Sequence, residues 1–393
     1  MIKNTKSATA LTLTMIMIMI CGLLSSCGNE SKGKTSFVKG DKQNAYYYID
    51  TKGELLGENG FIKAKDFNED GIAFVTAYIG KKDNYTEVVG YIDANCEFVG
   101  GKYWETKGSL SSYTDQSGCG VMLLANPEYG DILTIMDTSG KELAQVNNID
   151  ETYFPWPSDN GYIGVETTDG KCGYVDKNGK WIIKPKFSWV GPYTKGYAFA
   201  KENGKVGLID EKGNWALEPQ YYDINYGGDG TFFRANIDDN GNYVYVNKEG
   251  DLLNDKQYSG YAGEPFFEDG LCAIYDEESG LVGFMDESGE YVIEAQYKDA
   301  HNFHEGFAPV CEEVDGKDTW GYIDKSGEIV IDYQYEWAGP FSEEGYALVE
   351  VDGKYGYINK DGSWFLKPQF DDANSFSNGY AVVQLTDGQT IEK

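Results

Sequence analysis

Basic residues are scarce in this chain, and arginine is almost absent. Lysine and arginine together number 33 against 64 aspartates and glutamates, giving a formal net charge of −31. Arg234 is the only arginine. So acidic a chain is repelled by phosphate backbones, and it lacks the bidentate guanidinium groups that read phosphates and base edges, so nucleic acid is excluded as a partner. Histidine is limited to His301 and His304, and no C-x-x-C pair, glycine-rich phosphate loop or dinucleotide fingerprint occurs. Ser, His and Asp cannot be assembled into a triad, and no carboxylate pair stands out from the many present. Sustained helical periodicity is also missing, which argues against an α or α/β architecture.

Long apolar runs are missing as well, apart from one at the amino end. Lys3 and Lys6 precede an uncharged stretch from Ala8 to Leu24. The stretch is shorter than the roughly 20 residues a spanning helix needs, and it ends in small residues, as a secretory signal does. Residues 1–26 are therefore expected to be a signal peptide. Leu24-Ser25-Ser26-Cys27 resembles the bacterial lipobox, which implies lipidation of Cys27 and an anchor on the outer face of a bacterial membrane or cell surface. Residues 27–43 are expected to be the lipidated cysteine and a flexible polar tether. Five cysteines follow Cys27, at 96, 119, 172, 272 and 311. Each stands where sibling segments carry another small or apolar residue, so they read as filler rather than as disulfides.

What the sequence has in abundance is repetition. Gly-aromatic-aliphatic-Asp/Asn-x-x-Gly appears as Gly173-Tyr-Val-Asp176-Lys-Asn-Gly179 and as Gly321-Tyr-Ile-Asp324-Lys-Ser-Gly327. It recurs around Asp210, Asp286 and Asn359, with weaker copies at Asp50, Asp93, Asp137 and Asn247. Downstream aromatics keep register (Phe187, Tyr221, Tyr297, Tyr335, Phe370), and a later glycine leads into aromatic-Ala, as in Gly345-Tyr-Ala347. Asp/Asn-x-x-Gly is turn chemistry, since the side chain caps its own backbone and glycine takes the positive-φ position. The flanking β-branched and aromatic segments predict a hairpin, and Tyr346–Val351 predicts a third strand. Three short strands cannot bury their apolar faces alone, so neighbouring units must pack together. The expected fold is all-β: residues 44–393 form about nine tandem three-stranded antiparallel meanders in a propeller-like ring or arc. The alternative is an open β-hairpin solenoid.

These residues resemble the WG-containing repeat of bacterial proteins over roughly residues 44 to 386, most clearly from 172 onward. Trp320-Gly321 is the one literal Trp-Gly pair at the motif, and the copies at Asp50, Asp137 and Asn247 lose the glycine as well. The resemblance implies a β-strand repeat, often on exported proteins, that mediates binding. His301, His304 and Glu305 align with ordinary loop positions of sibling units, and Asp66-Phe-Asn68-Glu-Asp70-Gly71 opens like a calcium loop but has Ala77 where the bidentate glutamate belongs. No metal or other cofactor is expected. Trp189 and Trp337 stand where siblings carry Asp299 and Asp372, which marks the position as exposed and makes the two indoles the expected ligand contacts. The expected function is a non-catalytic binding or scaffolding module at the cell envelope, anchored by lipid, with a protein or glycan ligand. The rival reading is a carbohydrate-active or peptidoglycan-processing enzyme.

Overall fold

The computed structural model describes residues 29–30, 44–57, 60–81, 84–105, 114–125, 132–150, 156–225, 232–259, 267–386 and 389–393. Cys27, the signal peptide and all of the tether but Asn29–Glu30 lie outside these residues. The described residues contain no α-helix; a single three-residue 3₁₀ turn, Val99–Gly101, interrupts the strands. Those strands form nine small antiparallel sheets in chain order.

Each unit is organised by the predicted turn, and all nine copies adopt it, including those that lack the motif glycine. In the fourth copy Gly179 N donates to Asp176 O (2.8 Å), while Asn178 N and Lys180 N donate to Asp176 Oδ1. The same backbone bond links Gly53 to Asp50, Gly140 to Asp137, Gly250 to Asn247 and Gly362 to Asn359. At the second anchor Cys96 takes the glycine's place with φ 57°, so this cysteine is turn filler.

The expected three-stranded unit is extended in most sheets by a short further strand. Six sheets have at least four strands, and in the fourth, seventh and eighth a short strand follows the second-strand aromatic after a single residue: Trp181–Phe187 runs through Ser188 into Trp189–Thr194. That short strand pairs within the next sheet, with Tyr197–Glu202. One sequence repeat therefore spans two sheets, supplying the third and fourth strands of one and the first two of the next. Within the fourth strand, at a bulge, the main chain of residues 183–185 lies directly against Gly173. A Cβ there would sit 2.5 Å from the Ile183 carbonyl oxygen and 2.8 Å from Pro185 N. Gly321 and Gly356 are held in the same way by Ile331 and Leu366. Close approach, not positive φ, is the reason this position is glycine.

The offset phase closes the molecule. Strand Asn44–Asp50 pairs with Tyr380–Thr386, so the ninth sheet is made from both ends of the chain. An open row of nine sheets has eight interfaces. Among the described residues nine buried cores are present, each between consecutive sheets, and one joins Tyr48, Phe61 and Val382 of the ninth sheet to Phe67, Ala73 and Val75 of the first. The fold is thus a closed, propeller-like ring, and the open solenoid is set aside.

Two contacts recur around the ring. A buried tyrosine two residues before the anchor donates to a carbonyl of the next sheet: Tyr174 to Gly191, Tyr322 to Gly339 and Tyr357 to Asn374, each at 2.7 Å. Several turn glycines also rest on a side chain of the preceding sheet, as Gly213 does on Ile183 and Gly362 on Ile331. Cys172, Cys272 and Cys311 are buried in these interfaces. Burial pushes the thiols of Cys172 and Cys272 up to about 12 and that of Cys311 to about 11, so they remain protonated packing groups.

Candidate functional site

Trp189 and Trp337 each open the first strand of a sheet, the fourth and the eighth, pairing with Lys201 and Glu350. Register makes their environments comparable, but three sheets stand between them along the chain and the ring does not bring them together. Each indole folds back over the glycine two residues on. A Cβ on Gly191 or Gly339 would lie 3.2 or 2.8 Å from the ring's Cη2 atom. Trp189 keeps 37% of its surface exposed. Trp337 is half-buried, edge-on to His301 (6.1 Å between centroids) and to Tyr355 (6.5 Å). At the equivalent place Asp372 Oδ2 accepts from Tyr46 Oη at 3.1 Å.

His301 stacks flat on Trp320, the motif tryptophan, with centroids 5.0 Å apart, and His304 Nδ1 bonds to the Phe341 carbonyl. The two imidazoles thus serve different contacts. The calcium-like segment is also consumed by structure. Asn68 Oδ1 accepts from Asp70 N and Ile72 N, Asp66 from Asn374 Nδ2 (2.8 Å), and Asp70 from Gly120 N (2.8 Å). Other sheets carry the same clasp, with Asp269 accepting from Gly306 N and Glu344 from Gly379 N. Among the described residues no group of three or more His, Cys, Asp or Glu is placed to hold a metal ion.

One interface breaks the pattern. The side chain under each turn glycine stands seven residues after the preceding anchor and is Ile183, Leu217, Ile293, Ile331 or Leu366 in the units that keep the motif glycine and this packing. The units at Asp50, Asp93 and Asp137 carry the small Gly57, Gly100 and Ala144. Only the unit at Asn247 carries a polar side chain, Asn254, against Gly289. Asn254 Nδ2 donates to Tyr258 Oη at 2.9 Å. The segment around it meets the third strand through isolated bridges at Leu252 and Tyr258 and a bond from Leu253 N to the Tyr245 carbonyl, and forms no regular fourth strand. Between this loosened edge and the sixth sheet lies a cleft of about 420 Å³, within the roughly 300–1,000 Å³ of small-ligand sites.

The cleft is lined by apolar and aromatic side chains with the polar Gln257 and Ser259, and its exposed residues are mostly charged. Ile274 and Met285, each 1% exposed, form its floor, and Tyr258, Tyr275 and Tyr291 line it. Burial raises the Tyr258 and Tyr291 hydroxyls above the usual phenol range, and the Asp276 carboxylate pushes Tyr291 further. Both phenols are therefore neutral donors at physiological pH. Glu277, Glu278 and Lys256 stand exposed at the mouth. Asp276 accepts from the Ser279 hydroxyl (2.6 Å) and backbone N–H (3.1 Å), which lowers its pKa and keeps it ionised. Sequence reasoning did not single out this region, yet the signal was present in register: a polar residue where five siblings place Ile or Leu, in a unit that has also lost the motif glycine.

Comparison with known proteins agrees with the repeat reading. Residues 173–205, 207–243, 283–317, 320–355 and 355–388 match the family model described as WG containing repeat. No curated protein matches the chain. Among solved structures, a eukaryotic initiation factor superposes with a TM-score of 0.52 at 9% identity, over 90% of this chain and 98% of that one. That likeness shows a shared fold. Chaetomium thermophilum Sqt1, bound to the N-terminus of ribosomal protein L10, gives 0.37 at 11% identity over 90% of this chain and 100% of its own. Kluyveromyces lactis Hsv2p gives 0.38 at 10% identity over 68% and 97%.

Proposed function

We propose, from the premise that five of its units match the WG containing repeat, that this chain is a non-catalytic binding module. Lipid on Cys27 would hold it at the outer face of a bacterial membrane or cell surface. The observation that carries the binding reading is the cleft between the fifth and sixth sheets. A repeat scaffold spends the same residues on packing at every interface, so a roomy, aromatic-lined departure from that pattern is where a ligand can be held. Elsewhere the recurring carboxylates are engaged as turn caps and inter-sheet clasps, which supports a structural rather than catalytic use of the acidic motif. The ligand is a protein or a glycan, and exposed Trp189 and half-buried Trp337 are further contact candidates.

The test uses the full-length lipidated protein in detergent, screened against peptide and glycan arrays. The expected result is saturable binding that Tyr291→Ala weakens about tenfold or more without changing the melting temperature, since an aromatic anchor carries roughly 2 kcal/mol or more. Turnover of a bound glycan or peptide would overturn the non-catalytic reading. For the anchor, Cys27→Ala should move the protein from the detergent phase to the aqueous phase; unchanged partitioning would remove the lipoprotein assignment.

A further inference from the structure

Resting on the reading of the cleft as a ligand site, we infer that its ligand is a basic side chain, lysine or arginine, presented by a protein partner. The inference rests on how the cleft's two chemistries are stacked. Its buried lining is apolar, Ile274 and Met285, and the rings of Tyr258, Tyr275 and Tyr291 stand beside it together with the polar Gln257 and Ser259. Its mouth is formed by the turn Asp276-Glu277-Glu278, in which Asp276 is tied to Ser279 while Glu277 and Glu278 make no ion pair among the described residues. A lysine or arginine has the matching order of parts: a methylene stem that gains by lying on apolar surface, and a terminal charge that stays near water and carboxylates. Tyrosine faces add attraction for the same cation.

Charge decides against the other ligand classes. Three carboxylates face one ammonium, Lys256, at the mouth, and the chain as a whole carries −31. An anionic ligand would enter against that field, whereas a cation is drawn along it, and the attraction weakens with salt. A neutral sugar could stack on the tyrosines but would leave the unpaired carboxylates of Glu277 and Glu278 without a counter-charge.

The experiment titrates the full-length protein in detergent by calorimetry. The probes are a short glycine peptide carrying one central lysine, its arginine and N-acetyl-lysine counterparts, and a neutral chito-oligosaccharide. The lysine or arginine peptide should bind up to millimolar concentration and weaken about tenfold from low to high salt, as a screened charge pair does. The acetylated peptide should not bind. The Glu277→Gln/Glu278→Gln double variant should lose at least tenfold in affinity with an unchanged melting temperature, because both side chains are exposed. Binding of the basic peptides that is indifferent to that double variant overturns the inference. If instead the acetylated peptide or the sugar binds, and Tyr291→Ala abolishes it, the cationic inference falls while the cleft remains a ligand site. If no probe binds, or binding survives Tyr291→Ala, inference and cleft reading fall together.

Discussion

Ile49 lies directly opposite Ala381 in the ninth sheet, so the two ends of the folded chain share one strand pair. Ile49 is fully buried in the core between the eighth and ninth sheets. Ile323 is equally buried and holds the same place before its anchor, in the middle of the chain. In an open array a terminal strand frays and its side chains contribute little. In a closed ring every interface is interior. Ile49→Ala and Ile323→Ala should therefore cost the same, about 2–5 kcal/mol each, read from urea melts of the two variants. A cost for Ile49→Ala below about 1 kcal/mol would mean that the ring is not closed in solution.

The inter-sheet tyrosine bonds make a second prediction. Tyr322 Oη is buried and donates to the Gly339 carbonyl at 2.7 Å. Tyr322→Phe keeps the ring and leaves that carbonyl unpartnered. The expected cost is about 1–3 kcal/mol, with the same sign and size for Tyr174→Phe and Tyr357→Phe, whose hydroxyls make the equivalent bond. Differential scanning calorimetry of the three variants checks it; three neutral substitutions would show that these bonds do not tie the sheets together.

Much of this was legible in the sequence because the turn is local chemistry. An Asp or Asn followed three residues later by glycine caps its own backbone whatever the rest of the chain does, and all nine anchors read from the sequence are turns in the structure. The extra strand was hidden because Phe187 and Trp189 are joined by Ser188 alone, with no turn signal to separate two strands that bend into different sheets. Closure was hidden for a different reason: pairing of Asn44–Asp50 with Tyr380–Thr386 leaves no mark in either segment beyond ordinary β alternation. The motif glycine was read as part of a phrase, but its cause, main chain lying on its Cα, belongs to tertiary structure. The cleft could have been found by aligning Asn254 with Ile183, Leu217, Ile293, Ile331 and Leu366.

The turn carboxylates predict acid lability. In Asp137, Asp286 and Asp324 the hydroxyls of Ser139, Ser288 and Ser326 are the largest influence, and backbone N–H groups add to it, so each pKa lies below the ordinary value. A folded-state pKa depressed below the unfolded one contributes stability that is present above the unfolded value, about 3.9, and is lost as pH falls through the folded value. Asn247 holds the same turn with an uncharged amide, accepting from Glu249 N and Asp251 N. The triple variant Asp137→Asn/Asp286→Asn/Asp324→Asn should keep the turns but lose less melting temperature than the wild type between about pH 5 and pH 3. Parallel acid limbs for the two proteins would contradict this.

The two tryptophans that stood out in the sequence should now separate. Trp189 is 37% exposed and its indole covers Gly191, in a sheet where the sibling position of the next unit is Asp223. Trp337 occupies the same register but is wedged by His301 and Tyr355, with its ring packed against the core between the eighth and ninth sheets. Truncating a half-buried indole removes apolar contact and leaves a hollow, so Trp337→Ala should cost about 2–3 kcal/mol, toward the lower end of the range for large aromatics. Trp189→Ala, which uncovers only a glycine and part of a strand, should cost about 1 kcal/mol or less. The proposal that both are ligand contacts makes a separate demand: each substitution must weaken envelope binding several-fold, Trp189→Ala with the fold intact. Urea melts and binding of the same two variants read both quantities. If Trp189→Ala binds as the wild type does, the surface around the first strands is not where the ligand sits. The cleft at Tyr258, Tyr275 and Tyr291 then carries the binding alone.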